Sequence, residues 1–130
     1  MELISLFSEP ARLLITLLFE ELKIKGYTGL KPAHAQVFQN LEKEGSRITE
    51  LALKAGITKQ SMSLLVYDME NAGYLKRYKD KGDNRAVIFR LTAKGEKLLK
   101  FSDQILRNII TKWKKEQGEY SLNELKVLLK

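Results

Sequence analysis

Residues 47–77 read RITELALKAGITKQSMSLLVYDMENAGYLKR, and this stretch decides the fold. Two short helices with clear punctuation are predicted within it. Thr49 is placed to cap a helix over Glu50–Ala55 that Gly56 stops. Thr58 is placed to cap a second over Lys59–Ala72 that Gly73 stops. Two helices joined by a tight Gly-Ile turn make the helix-turn-helix pattern. In the second helix Met62, Leu65, Val66, Met69 and Ala72 follow the spacing of an inward face. At about 100° per residue the opposite face carries Gln60, Leu64, Tyr67 and Asn71, flanked by Lys59 and Ser63.

That outward face is short, polar and basic at its N-terminal end, the composition suited to a major groove. Thr58, Lys59 and the free backbone amides suit a phosphate. Gln60 can pair bidentately with adenine, the hydroxyls of Ser61 and Ser63 can donate or accept, and Leu64 can touch a thymine methyl. A polar helix face is common on any helix. Its position after a capped helix and before a basic hairpin is what points to nucleic acid.

The hairpin follows Gly73, where the pattern changes to alternation. Tyr74–Lys79 and Ala86–Leu91 read as two strands around Lys81-Gly82-Asp83-Asn84, which is turn chemistry. The charge is concentrated here. Residues 1–45, 46–100 and 101–130 carry net −1, +6 and +2. Lys76, Arg77, Lys79, Lys81, Arg85 and Arg90 stand against only Asp80 and Asp83. A localised basic surface is the footprint of a phosphate-binding face, although it can also be a solvated surface. An extended Arg85 can enter a minor groove. Asp83, two residues earlier on the same side of a strand, can hold the guanidinium bidentately. Alone, an Asp-x-Arg pair is a weak signal.

Further outward, a helix is predicted over Glu9–Lys25, with Ser8 as cap and Pro10 in its first turn. Its leucines, with Ile15 and Phe19, make a face wider than a surface helix needs. Pro32 opens a helix to about Lys43, with Val37, Phe38 and Leu41 inward, and Gly45 closes it. Thr92 caps a long helix over Ala93–Gln117, whose Leu98, Phe101, Ile105, Leu106, Ile109, Ile110 and Trp113 form another broad seam. Ser121 and Glu124 form a capping box ahead of a last short helix. The architecture is mainly α with a small β-hairpin wing: a winged helix-turn-helix flanked by N- and C-terminal helices. Those flanking helices are too apolar for a monomer's surface, so they are expected to pair with a second copy.

Composition bounds the chemistry. The chain has 130 residues, no cysteine, one histidine and a net charge of +7. Such a length fits one domain. The counts exclude a disulfide scaffold, a thiol nucleophile and a Cys/His zinc site. No stretch approaches the ~20 apolar residues of a membrane span, so no membrane partner is expected and the cytoplasm is the expected location. No phosphate-binding loop, nucleophile elbow or dinucleotide fingerprint occurs, so neither catalysis nor a cofactor is expected. His34, in the first turn of its helix, is a better structural or solvent-facing residue than a ligand-pocket one. Tyr27, Phe38, Trp113 and Tyr120 fit core or dimer-seam packing better than a ligand cavity. Lys112, Lys114 and Lys115 read as a solvated face, with contact to DNA backbone as the alternative.

Three segments in this order resemble the MarR family of winged-helix transcriptional regulators. They are LKPAHAQVFQNL (30–41), RITELALKAGITKQSMSLLVYDMENAGYLKR (47–77) and DNRAVIFRLTAKGEKL (83–98). The resemblance implies one domain over residues 1–130, with a winged DNA-binding lobe at about 27–100. It implies dimerisation helices at about 1–26 and 101–130, and a homodimer reading a pseudo-palindromic site in double-stranded DNA. It also implies a repressor that a small aromatic or phenolic ligand releases. The DNA-facing residues would be Thr58, Lys59, Gln60, Ser61, Ser63, Leu64 and Tyr67 of the recognition helix, with Lys79, Lys81, Asp83 and Arg85 of the wing. Asn84 departs from the family, many of whose members carry a second basic residue there. The competing reading is a winged-helix module that binds a protein, or grips DNA without sequence preference.

Overall fold

A computed structural model describes residues 9–117. Its elements in chain order are α1 (Glu9–Ile24), a 3-10 turn (Pro32–His34), α2 (Ala35–Asn40), α3 (Ile48–Ala55), α4 (Lys59–Asn71), β1 (Leu75–Asp80), β2 (Asp83–Leu91) and α5 (Ala93–Gln117). The chain divides into two compact units, one of Thr28–Leu99 and one holding α1, Tyr27 and α5 from Lys100 onward. The predicted Ser8 cap, the helix after Ser121, Tyr120 and the side chain of Trp113 lie outside the described residues.

The 28–99 unit is built around α4. Met62, Val66 and Met69 are fully buried, and Leu51 and Ala52 of α3, Val37 of α2 and Tyr74 join them. Burying each large apolar side chain is worth about 1.5–3 kcal/mol, which anchors α4 by its inner face. Leu65 and Ala72, predicted inward, are half-buried at the edge of that face. Thr58 caps α4 as expected, its hydroxyl accepting from the Ser61 amide at 3.0 Å. Gly56 ends α3 at φ 71°.

Several boundaries differ from the sequence reading. The helix predicted over Pro32–Lys43 is a 3-10 turn and a short α-helix ending at Asn40. Leu41 is extended, and the Glu42 amide donates to the Ser46 hydroxyl at 2.9 Å. This turns the chain so that Ser46 can bridge to Phe89 on β2, donating at 3.1 Å and accepting at 2.9 Å. Thr49 does not cap α3. Arg47 does, its amide donating to Glu50 Oε1 at 2.7 Å, which starts the helix two residues earlier than predicted. At the other end α4 stops at Asn71, with Ala72 as its C-cap.

The two strands pair antiparallel, Leu75 opposite Leu91 and Lys79 opposite Val87, with an irregularity between Lys79 and Asp80. The turn is shorter than predicted. β2 begins at Asp83, leaving only Lys81 and Gly82 between the strands. Asp80 makes this possible, since its Oδ1 accepts from the Gly82 amide at 2.9 Å, an aspartate bonding its own backbone two residues on.

Thr92 opens α5 as predicted. Its Oγ1 accepts from the Gly95 amide at 3.0 Å and donates to the Gly73 carbonyl at 2.6 Å, so one side chain caps α5 and ties it to the backbone that follows α4. Leu98 is buried in this unit. In the other unit Leu14, Leu22 and Ile105 are buried, and Tyr27 and Phe101 pack with ring centroids 5.6 Å apart. Leu13, Leu17 and Ile24 remain exposed along α1. Among the described residues no helix is long and apolar enough to cross a membrane.

Candidate nucleic-acid interface

The outer face of α4 is open. Lys59, Gln60, Ser61, Leu64 and Tyr67 are exposed, and Leu64 presents 64% of its surface. The N-terminal turn is locally ordered. The Thr58 hydroxyl donates to Ser61 Oγ at 2.9 Å, and the half-buried Ser63 donates to the Lys59 carbonyl at 2.8 Å. Ser63 therefore spends its proton inside the helix and offers only an oxygen outward. Lys59, Lys79 and Lys81 have no carboxylate partner among the described residues. Arg85, the third residue of β2, has a side chain 94% exposed.

The structure corrects the expected role of Asp83. It does not grip the Arg85 guanidinium bidentately: one contact, to Nε, stands at 3.5 Å. Its Oδ1 instead accepts from the Arg85 backbone amide at 3.0 Å. A two-residue turn draws the chain in at Asp83, so the carboxylate meets backbone before it meets the long side chain. Asp83 orders the backbone beneath Arg85 and holds the cation by that one long contact, leaving its side chain 94% exposed.

Two of the six basic residues around the hairpin are also occupied internally. Arg77 pairs with Glu70 of α4 through two bonds, Nε to Oε2 at 2.8 Å and Nη2 to Oε1 at 2.7 Å. The guanidinium lies 5.3 Å from the Phe89 ring centroid and 5.6 Å from that of Tyr67. Such a planar fork, paired and stacked, ties the root of the hairpin to the recognition helix. Arg90 donates to the Glu44 carbonyl at 2.7 Å and stacks 5.2 Å from Tyr78. Tyr67, predicted as a DNA contact, is thus partly engaged, with the Arg77 guanidinium over its ring and its ring centroid 6.4 Å from that of Phe89. Among the described residues of the recognition helix and hairpin, Lys59, Lys79, Lys81 and Arg85 are exposed to an outside anion, as is Lys76, whose Nζ lies 5.6 Å from the Tyr78 ring centroid.

His34 is structural. It is 1% exposed, its Nδ1 accepts from the Lys31 amide at 2.8 Å, and its Nε2 faces Asp68 Oδ2 at 3.3 Å. It ties the 3-10 turn to α4 and cannot reach an outside ligand. Among the described residues no group of three His, Asp or Glu side chains converges in a way that could hold a metal ion.

Sequence reasoning missed Arg47, Asp80 and Glu70. Their partners lie 33 residues apart for Arg47–Asp80 and seven for Glu70–Arg77. Glu70 and Arg77 could have been suggested by the short reach from the end of α4 back along β1. Nothing local marks Arg47 and Asp80 as a pair. The Arg77 guanidinium holds the Glu70 carboxyl below the usual carboxylate range. A carboxyl lowered by folding adds stability in full above that range and loses it as pH falls through it. The thermal-midpoint difference between wild type and Glu70→Gln should therefore be constant at pH 6–8 and shrink below about pH 4. A difference that stays level down to pH 3 would show that the pair does not support the fold.

The fold, with an open polar helix face beside a basic two-stranded wing, defines a winged helix-turn-helix protein. A sequence model of the MarR family matches residues 28–86. Among solved structures, the transcriptional regulator Tm0710 from Thermotoga maritima is 26% identical, with a TM-score of 0.64 over 95% of this chain and 88% of that one. NadR, solved with 4-hydroxyphenylacetate, is 24% identical, with a TM-score of 0.61 over 93% of this chain and 84% of its own. MepR of S. aureus, solved with DNA, is 20% identical, with a TM-score of 0.62 over 96% of each chain. No curated protein matches this sequence closely enough to count as a relative. Residues 28–86 thus match the MarR family, and the chain as a whole is similar to solved transcriptional regulators.

Proposed function

We propose that the protein is a homodimeric repressor that reads a pseudo-palindromic duplex site and is released from it by a small phenolic ligand. The observation that carries the reading is the open N-terminal face of α4 beside a wing whose Lys79, Lys81 and Arg85 are free of ion pairs among the described residues, apart from the single long contact of Arg85 to Asp83. In this reading Gln60, Ser61, Ser63 and Leu64 meet base edges in the major groove. Thr58, Lys59 and Tyr67 meet the sugar-phosphate backbone, as do Lys79 and Lys81. Arg85 enters the minor groove, with Asp83 beneath it. Dimerisation is supported by Leu13, Leu17 and Ile24, which stay exposed on α1 in the single chain. The phenolic ligand is supported by NadR, a structure of the same fold that holds one.

Selection from a randomised duplex pool at near-physiological salt tests the reading. A two-fold motif with half-site centres about 34–36 Å apart is expected, one helical turn. Binding without any enriched motif, vanishing steeply as salt rises, would leave only a phosphate-gripping or partner-binding module. On the selected site two substitutions should behave differently. Gln60→Ala should cost about 1–3 kcal/mol and relax one base position. Lys81→Ala should weaken all duplexes alike and reduce the salt slope by about 1. Titration of 4-hydroxyphenylacetate against the complex tests release.

A further inference from the structure

The outer end of the hairpin is held by a contact that base reading does not need. Arg47, just before α3, reaches Asp80 at the end of β1. Its Nε donates to Asp80 Oδ2 at 2.8 Å, and its Nη2 lies 2.6 Å from the same oxygen. The other carboxylate oxygen, Oδ1, accepts from the Gly82 amide. One side chain thus joins the first helix of the helix-turn-helix to the two-residue turn. Asp80 is also opposite Asp83 in the strand register, and Asp83 accepts from the Arg85 amide. The ion pair from α3 therefore stands one strand pairing away from the residue that holds the backbone of Arg85.

Nothing apolar could do this work. The hairpin is buried at its root, through Leu75 and Phe89, but Lys76–Lys79 and Asn84–Arg85 are exposed. A two-stranded ribbon without a packed face is marginal and free to swing. The strand irregularity between Lys79 and Asp80 removes ladder order where the lever is longest. A half-buried ion pair at the surface adds little to global stability. What this pair can fix is direction.

We propose that Arg47 and Asp80 form a positioning latch that sets where the wing tip, and with it Arg85, stands relative to the recognition helix. The inference rests on the DNA-reading function proposed above. Charge supplies a sign test. Asp80→Asn removes a negative charge from a basic face, so electrostatics alone predicts tighter DNA binding. The latch predicts weaker binding at the specific site. Asparagine keeps a side-chain oxygen for the Gly82 amide, so the turn itself is spared.

The experiment measures the affinity of the full chain for its selected duplex and for a random duplex. Asp80→Asn should weaken the selected site several-fold while leaving random duplex unchanged or bound more tightly. Arg47→Lys, which keeps the charge but not the two-nitrogen grip, should weaken the selected site in the same way. In an Arg85→Ala background, Asp80→Asn should cost nothing further, because the group it positions is gone. Thermal midpoints within a few degrees of wild type keep the comparison free of unfolding. Equal or tighter binding of Asp80→Asn at the selected site, or costs that simply add to those of Arg85→Ala, overturns the latch. A wild-type chain with no preferred site overturns the DNA reading and the latch with it. A preferred site that both latch variants bind normally overturns the latch alone.

Discussion

Phe89→Ala is expected to be the most damaging single substitution in the winged lobe, destabilising it by about 3–5 kcal/mol. Phe89 is 2% exposed, and three contacts meet on it. Its backbone bridges to Ser46 in both directions, its strand partner is Arg77, and its ring lies beside Tyr67 and under the Arg77 guanidinium. Alanine leaves a cavity and removes one wall from the Arg77 pocket, so the Glu70 pair loses its setting as well. Val87→Ala, two residues away on the same strand and 38% exposed, is the control and should stay within about 1 kcal/mol. Urea denaturation followed by circular dichroism reads both. A Phe89→Ala midpoint equal to that of Val87→Ala would mean that the wing folds without reference to the helix-turn-helix.

Gly95→Ala sets two effects of opposite sign against each other. Gly95 is in the first turn of α5, where alanine favours a helix by roughly 1 kcal/mol over glycine. Propensity alone therefore predicts a more stable protein. A Cβ at this position, however, would lie 2.3 Å from the Tyr74 carbonyl oxygen and 2.9 Å from Leu91 Cδ2. The first is backbone and cannot step aside. It is held in place because it accepts from the Thr92 amide at 3.0 Å. Forcing atoms into a packed site costs about 1–3 kcal/mol, which outweighs the helix gain. The expected result is a lower thermal midpoint and a loosened junction between the strand pair and α5. Hydrogen exchange at the Thr92 amide reports that junction directly. An unchanged or raised midpoint would show that α5 can move away from Tyr74 without loss.

How much of this was legible beforehand varies with how local each signal is. The Thr58 and Thr92 caps, Gly56, and the Met62, Val66 and Met69 stripe were all readable, because each depends on residues within one or two helical turns. The bounds of α5 followed from the same rules. The end of α2 did not. Continuing to Lys43 satisfies local propensity, and the chain leaves the helix because Ser46 must reach Phe89, 43 residues away. The start of β2 was missed for a related reason: Asp83 and Asn84 favour turns in isolation, while Asp80 closes the turn early and frees them for the ladder.

The interface divides in the same way. Sequence named the exposed front of α4 and the exposed wing cations, since helical phase and strand alternation dictate which side chains face out. It miscounted the available charge because Arg77 and Arg90 read as free cations until their partners, Glu70 and the Glu44 carbonyl, were placed. It also gave Asp83 a side-chain partner where the turn gives it a backbone one. Periodicity and capping are properties of neighbouring residues, and so the sequence alone settled the order of elements and the outward face. Which cations remain free, and where the wing points, depend on contacts between residues distant in the chain. Only the tertiary structure brings Arg47 to Asp80 at the end of β1, 33 residues away in the chain.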